Sequence, residues 1–456
     1  MATTLPVITN EYRVLLVDPK SHTLLAQERC GEYCLARVAV PLGTRPARQL
    51  QETFRTSWGV TILILDLLAV HDNMSPCAVA ELLAGEVPAE FRAVLPEQIR
   101  RDELSEEGRS LFQDMLRGTV RSPFTEIGWI DRAIAWLETA TGRRLSSKAD
   151  IEQHNAGGAF TLLRFRTQDG CDYWLKATGA PNLHERNITS LLSRLCAGHV
   201  PEVVAEIPEW NAWMMRGQGS VRRALPTEAT GIWHVLRGAV KSLAALQMNT
   251  VGSEQALFAV GACDHGTHVL RAKAETLFAY IDEAMSLQTS TKVPRLGASR
   301  LCELRRIFED VCGHMEQLGL PPTVLHGDMN LGNILVADGR CVFIDWSEAY
   351  VGSPLVTFEH ILLLNQVDCP SLKSSRDACL RQVYRGALGK ILDVRAVDEG
   401  FACAPMIAAA SSILGRGDWL RTHLRDDPRR QAYVRAIARH MDRAAREPAL
   451  LRRLRC

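Results

Sequence analysis

His326-Gly327-Asp328-Met329-Asn330-Leu331-Gly332-Asn333-Ile334-Leu335-Val336-Ala337-Asp338-Gly339-Arg340-Cys341-Val342-Phe343-Ile344-Asp345-Trp346 is the most informative run in this chain of 456 residues. Ile334 to Ala337 and Arg340 to Ile344 are mainly apolar, and Asp338-Gly339 between them is a favoured dipeptide for a two-residue type I′ hairpin turn. That turn sets Ala337 opposite Arg340 and Asn333 opposite Ile344. Asn333 and Asp345 then leave the open end of the hairpin side by side, about 5 Å apart by cross-strand geometry. An amide oxygen and a carboxylate so placed can share a hard cation such as Mg²⁺, which keeps several waters and is completed by substrate phosphates. Asp328 lies five residues before Asn333, close enough in the preceding loop to accept a proton beside that cation. A carboxylate that orients an attacking hydroxyl, next to a cation that neutralises transferred charge, is what phosphoryl transfer requires. The plainer reading of the same residues is an Asn and an Asp capping an ordinary hairpin.

The run resembles the aminoglycoside phosphotransferase and choline kinase group of small-molecule kinases, relatives of the protein kinases. Their pattern of His-Gly-Asp, four residues, Asn, then a hairpin ending in Asp is matched at His326, Gly327, Asp328, Asn333 and Asp345. The resemblance implies that Asp328 is the catalytic base, that Asn333 and Asp345 ligate Mg²⁺, that ATP is the donor and that a hydroxyl of a small molecule is the acceptor. It covers roughly residues 125 to 400. The implied fold is α+β, a bilobal protein kinase-like arrangement of a β-rich N-lobe and a helical C-lobe. Trp346 and the lack of an Ala-Pro-Glu element favour a small-molecule kinase over a protein kinase. One position departs from the pattern: the helix before the catalytic loop commonly ends in Leu-His in these kinases, whereas here Ala245-Leu246 is followed by Gln247.

Phosphoryl transfer of this kind demands an upstream lysine and a loop that covers phosphates. Of eight lysines, only Lys176 lies between Lys148 and Lys241. It ends Cys171-Asp172-Tyr173-Trp174-Leu175-Lys176, a strand entered through Asp169-Gly170; a two-residue turn there places Lys176 opposite Leu163. A few residues earlier, Gly157 and Gly158 in Asn155-Ala156-Gly157-Gly158-Ala159 would let backbone approach phosphates, although an ordinary hairpin turn explains them equally well. By resemblance to the family's helix-C glutamate, Glu185 at the start of a helix to Leu195 would hold the Lys176 ammonium; a first-turn carboxylate is also favoured there by the helix dipole. Trp210 to Gln218 takes the slot of the family's interlobe hinge. Backbone groups near Arg216 to Gln218 would then receive the adenine edge and Met215 would line its pocket. Glu348 and Glu359 could face a cationic acceptor, or be solvated helix charges.

Residues 1–122 read as a separate small α+β domain: strands at Tyr12–Asp18, Leu24–Gln27 and Ala36–Val40, a helix over Pro46–Trp58, a strand over Val60–Ala69, and helices near Cys77–Ala84 and Ser105–Arg117. The helix followed by Gly59-Val60 resembles the helix-loop of the Nudix family in outline. Thr56 and Ser57 stand where that family's metal-binding glutamates would be, so a degenerate Nudix-like fold without pyrophosphohydrolase activity is expected. Residues 123–219 would form the N-lobe with a preceding helix, and 220–456 the helical C-lobe.

Composition sets the outer limits. The 46% hydrophobic and 23% charged fractions are those of a folded globular chain, and a net charge of +1 advertises neither nucleic acid nor an anionic membrane. Met1 to Val7 has no basic and apolar leader, and Val60 to Val70 falls short of the roughly 20 residues of a membrane span. Thirteen cysteines scattered without a C-x-x-C pair read as free thiols, so a cytoplasmic protein is expected. Arg435, Arg439, Arg443 and Arg446 recur at helical spacing and read as one solvated face of a C-terminal helix. The rival reading, from a different class, is a nucleotide-binding regulatory module that keeps the fold without turnover.

Overall fold

The computed structural model describes residues 8–68, 75–217, 229–337, 339–366, 370–417 and 422–454. The chain is α+β and divides into two compact units, Met1–Arg186 with Glu202–Gly219, and Asn187–Pro201 with Ser220–Cys456. The first is rich in sheet and the second is mainly helical.

The first unit opens with β1 (Thr9–Asp18), β2 (Thr23–Arg29), β3 (Glu32–Cys34), β4 (Ala36–Pro41), α1 (Pro46–Trp58), β5 (Thr61–Leu68), β6 (Cys77–Ala84) and β7 (Phe91–Val94). These strands form one seven-stranded sheet of order β3-β2-β1-β6-β5, with β4 paired to β1 and β7 to β2. Helix α1 starts on Pro46, whose missing N–H costs nothing at a first turn, and stops at Gly59 in the left-handed region with φ 68°. Its Ala47, Leu50, Gln51 and Phe54 recur at helical spacing and are buried. Cys77–Ala84 is a strand and not the expected helix. Its Ala and Leu residues favour a helix locally, but the segment lies in the sheet between β1, which it meets in parallel, and β5, which it meets antiparallel. Both faces of a central strand are covered, so its sequence shows no strand alternation and is apolar at every position but the buried Glu81.

Next come α2 (Glu106–Leu116), α3 (Trp129–Thr141), β8 (Glu152–Asn155), β9 (Phe160–Arg166), β10 (Asp172–Thr178), α4 (Glu185–Leu195), β11 (Val203–Ile207) and β12 (Ala212–Arg216). A second sheet runs β11-β12-β10-β9-β8. The β9–β10 register sets Lys176 opposite Leu162, one residue from the expected Leu163. The connection is not a two-residue turn: Thr167 N–H donates to Cys171 O at 2.9 Å, leaving three residues in the loop, with Gly170 at φ 79°. A three-residue hairpin loop places glycine at that left-handed position, and it shifts the pairing by one.

The two sheets of this unit are joined by side-chain amides. β5 is an edge strand, and its unpaired backbone is met by Gln153 of β8, whose amide accepts from Ile64 N–H at 2.7 Å and donates to Ile64 O at 2.8 Å. Gln51 of α1 completes the joint, accepting from Gln153 N–H at 3.0 Å and donating to Ile62 O at 3.0 Å. Both glutamines are buried. Gln153→Ala leaves a buried N–H and C=O without these partners, so it is expected to destabilise the protein by about 2–4 kcal/mol, read by urea unfolding.

The second unit continues through α5 (Ala229–Met248), α6 (Glu254–Ala259), β13 (Cys263–Asp264), α7 (Thr267–Ala272), α8 (Ala274–Ser286) and α9 (Ala298–Gln317) to β14 (Thr323–His326), β15 (Ile334–Ala337), β16 (Arg340–Phe343) and β17 (Ala349–Gly352). It ends with α10 (Leu355–Leu364), α11 (Pro370–Leu388), α12 (Val394–Leu414), α13 (Thr422–Arg425), α14 (Pro428–Ala445) and α15 (Pro448–Leu454). Among the described residues α12 alone is long and apolar enough to cross a membrane; its Cys403, Ala404, Met406 and Ile407 are fully buried in the unit's core. The C-terminal arginines are not one solvated face. Arg443 and Arg446 are exposed, but Arg435 is half-buried and donates to Ala284 O at 2.9 Å, and Arg439 is half-buried and bonds Gln288 Oε1. These cations meet carbonyl and amide oxygens at the C-terminal end of α8, where the helix dipole favours positive charge.

Candidate active site

In the second unit, β15 and β16 pair Ile334 with Phe343 and Ala337 with Arg340, the register expected of a tight turn; Asp338 itself lies outside the described residues. Ile344 N–H donates to Asn333 O at 3.1 Å, which carries the pairing one step further to the mouth of the hairpin. Asp345 follows with φ 68°, a left-handed backbone that Asp and Asn tolerate better than most residues. Ser347 Oγ donates to Asp345 Oδ1 at 3.2 Å.

Asp328 is half-buried in the loop before the hairpin, and two amides grip its carboxylate. Asn330 Nδ2 donates to Oδ1 at 2.7 Å and Asn333 Nδ2 to Oδ2 at 3.0 Å. Asn333 Nδ2 also donates to Asp328 O at 2.8 Å, so its nitrogen is committed to Asp328 and its oxygen is the atom that could ligate a cation.

His326, fully buried on β14, ties this loop to the hairpin. Its Nδ1 faces Asp328 N–H at 3.2 Å and its Nε2 faces Ile344 O at 3.0 Å. An amide can only donate and a carbonyl only accept, so the imidazole is neutral with its proton on Nε2. One ring thus fixes the backbone of Asp328 and of Ile344, the residue preceding Asp345.

Three residues that the sequence did not single out support the loop. Asn365, at the end of α10, accepts from Leu331 N–H at 2.8 Å and donates to Met329 O at 3.0 Å, bracketing Asn330. His360 Nδ1 lies 3.3 Å from His326 O and its Nε2 3.0 Å from Ser412 Oγ, and burial lowers its pKa and keeps it neutral. Asn330 had a signal, lying inside the quoted run two residues after Asp328; Asn365 and His360 had none, because long loops of chain separate them from their partners. Gln247 is buried, donates to Pro354 O at 2.9 Å and accepts from the Tyr384 hydroxyl.

In the first unit, Lys176 on β10 and Glu185 at the start of α4 form a buried ion pair, Nζ to Oε1 at 2.6 Å. The ammonium also lies 5.1 Å from the Phe160 ring and 5.8 Å from the Trp213 ring, within cation–π range. Gly157, with φ 124°, and Gly158 form the loop between β8 and β9 that leads into Phe160.

The expected hinge is corrected in part. Met215 is half-buried on β12, but Arg216 N–H donates to Glu202 O at 2.9 Å and Gly217 N–H to Asp172 O at 2.8 Å. Neither amide is therefore available to an adenine edge, and the Arg216 side chain pairs with Glu202 at 2.7 Å. Gln218 lies outside the described residues. Glu359 is not a solvated helix charge: it is buried on α10 with Arg381 at 3.6 Å, and burial pushes its carboxyl up to about 7.

No curated protein matches the chain. Solved structures similar to it include a choline/ethanolamine kinase family protein from Mesorhizobium loti, with 16% identity, TM-score 0.42, and coverage of 72% of this chain and 98% of that one. A macrolide 2′-phosphotransferase from Brachybacterium faecium has 19% identity, TM-score 0.39, and coverage of 70% and 97%. Choline kinase LicA from Streptococcus pneumoniae has 12% identity, TM-score 0.43, and coverage of 69% and 99%. Residues 186–364, which contain the His326–Asp345 run and exclude Lys176 and Glu185, match the family model APH, described as Phosphotransferase enzyme family.

Proposed function

We propose that the protein is a small-molecule kinase that transfers the γ-phosphoryl group of ATP to a hydroxyl of a non-protein acceptor. The observation that carries the reading is the Asp328 carboxylate held by Asn330 and Asn333 at the mouth of the β15–β16 hairpin. Both lone-pair faces used by the amides are fixed, which orients the remaining ones toward a hydroxyl proton. Lys176 would hold the α- and β-phosphates, steadied by Glu185. Asn333 and Asp345 would hold Mg²⁺: among the described residues no three His, Cys, Asp or Glu side chains cluster to hold a metal, and an amide oxygen with one carboxylate is a hard, incomplete set that suits a cation finished by water and phosphates. When bound, Mg²⁺ would supply charge neutralisation at the transferred group.

Acceptor-dependent ADP release from purified protein against amino alcohols, sugars and aminoglycosides, lost in Asp328→Ala, is the expected result. Thermal stabilisation by Mg·ATP with no turnover on any acceptor would instead favour the regulatory module. For residues 1–122, whose Nudix-like resemblance rests on sequence, we propose no hydrolase role. Thr56 is exposed, with its hydroxyl bonded back to Glu52 O at 3.0 Å, and is no metal ligand.

A further inference from the structure

The glycine loop is not loose. Its Gly158 N–H donates to Asp66 Oδ1 at 3.2 Å, its Gly158 O accepts from Ser122 Oγ at 3.0 Å, and Ala159 O accepts from Gly179 N–H at 2.8 Å. Asp66 belongs to the first sheet, on β5, and is 3% exposed. The β5–β6 register slips between Ile64 and Asp66, the mark of a bulge, and a bulge re-aims the side chain beside it. The same Oδ1 accepts from Leu67 N–H at 2.8 Å, so the carboxylate is itself fixed in place. Arg121 closes the third side: its Cβ lies 3.6 Å from where a side chain on Gly158 would begin, and its guanidinium is 3.9 Å from Asp66 Oδ2.

A loop with two adjacent glycines has a large conformational entropy to lose when it orders around a ligand. Pinning it beforehand removes that cost from binding. The pinned segment runs directly into Phe160, whose ring lies against the Lys176 ammonium, so the anchor reaches the cation expected to meet phosphates. We infer that the N-terminal sheet serves the kinase-like part as a scaffold for its phosphate loop, with Asp66 the positioning residue that holds Gly158 in its nucleotide-receiving shape. The inference rests on the phosphotransferase reading and gives the extra domain a task in nucleotide recognition without chemistry of its own.

The test uses the full chain and two ligands, Mg·ATP and adenosine, by calorimetry, with amide hydrogen exchange across residues 156–160 as an independent readout. In Asp66→Ala the dissociation constant for Mg·ATP is expected to rise about tenfold as ordering cost returns to binding, while that for adenosine stays unchanged and loop exchange quickens. Asp66→Asn keeps an oxygen for Gly158 N–H and should restore both, which it would not do if the charge of Asp66 were what mattered. Ser122→Ala removes the other pin and should weaken Mg·ATP in the same direction; it carries the test alone if Asp66→Ala does not fold. Unchanged Mg·ATP affinity in a folded variant with quickened loop exchange, or unchanged exchange, overturns the inference and leaves the phosphotransferase reading intact. Wild-type protein that binds no Mg·ATP overturns that reading, and the inference with it.

Discussion

Asp328→Asn is expected, on the proposed function, to lower acceptor-dependent ADP release by about 10³-fold or more, because it would remove a proton acceptor whose contribution to such steps is typically 10²- to 10⁴-fold and also disturb its setting. The substitution is nearly isosteric, so the loop should fold. What changes is chemistry at two oxygens. Asn330 Nδ2 and Asn333 Nδ2 both donate to the carboxylate, and an amide can offer an oxygen to only one of them. The other donor then faces an NH₂ group, while the bond from Asn333 Nδ2 to the Asp328 backbone carbonyl at 2.8 Å remains. Proton acceptance and one of the two amide contacts are therefore lost by one atom replacement. Mg·ATP should still raise the melting temperature, because nothing assigned to the nucleotide itself has gone. Turnover within tenfold of wild type would end the claim that Asp328 is the base.

The hairpin was legible because three local rules agreed on it: two apolar runs, a turn dipeptide and a register that follows from turn length. Its pairing of Ala337 with Arg340 needs no tertiary information. The Lys176–Glu185 pair was reachable through the resemblance, which implies a lysine on a strand held by a carboxylate of the following helix. Sequence reasoning failed where distant chain intervenes. β6 was misread because its helix-forming residues sit in a sheet whose neighbours, β1 and β5, supply all the reasons for extension. The register of Lys176 was off by one because Asp169-Gly170 can belong to a two- or a three-residue loop, and only the Thr167–Cys171 hydrogen bond distinguishes them. Glu359 was read as surface charge because a carboxylate in sequence does not announce that its helix is buried on all sides. The joint made by Gln51 and Gln153, and the hold of Asp66 on Gly158, connect residues about a hundred positions apart and leave no periodic trace.

Asp345→Asn is the second large effect, and its backbone explains why this substitution and not alanine is the informative one. At φ 68° the position favours Gly, Asn or Asp, so alanine would add left-handed strain of about 1–2 kcal/mol to whatever it removes chemically. Asparagine keeps the conformation and an oxygen for the Ser347 hydroxyl, and subtracts one negative charge. If Asp345 and the Asn333 oxygen hold Mg²⁺ between them, the variant leaves two neutral amide oxygens, and a small, strongly hydrated dication exchanges water for neutral ligands reluctantly. The maximal rate should fall about 10²- to 10³-fold, the size of loss seen when one preorganised electrostatic contact to a transition state goes. The Mg²⁺ concentration giving half-maximal rate should rise at the same time, which separates a metal ligand from a residue that only props the loop. The shift of the melting temperature with Mg·ATP should be smaller than in wild type. A variant with an unaltered Mg²⁺ dependence would remove Asp345 from the metal site and leave Asp328 to be judged on its own result.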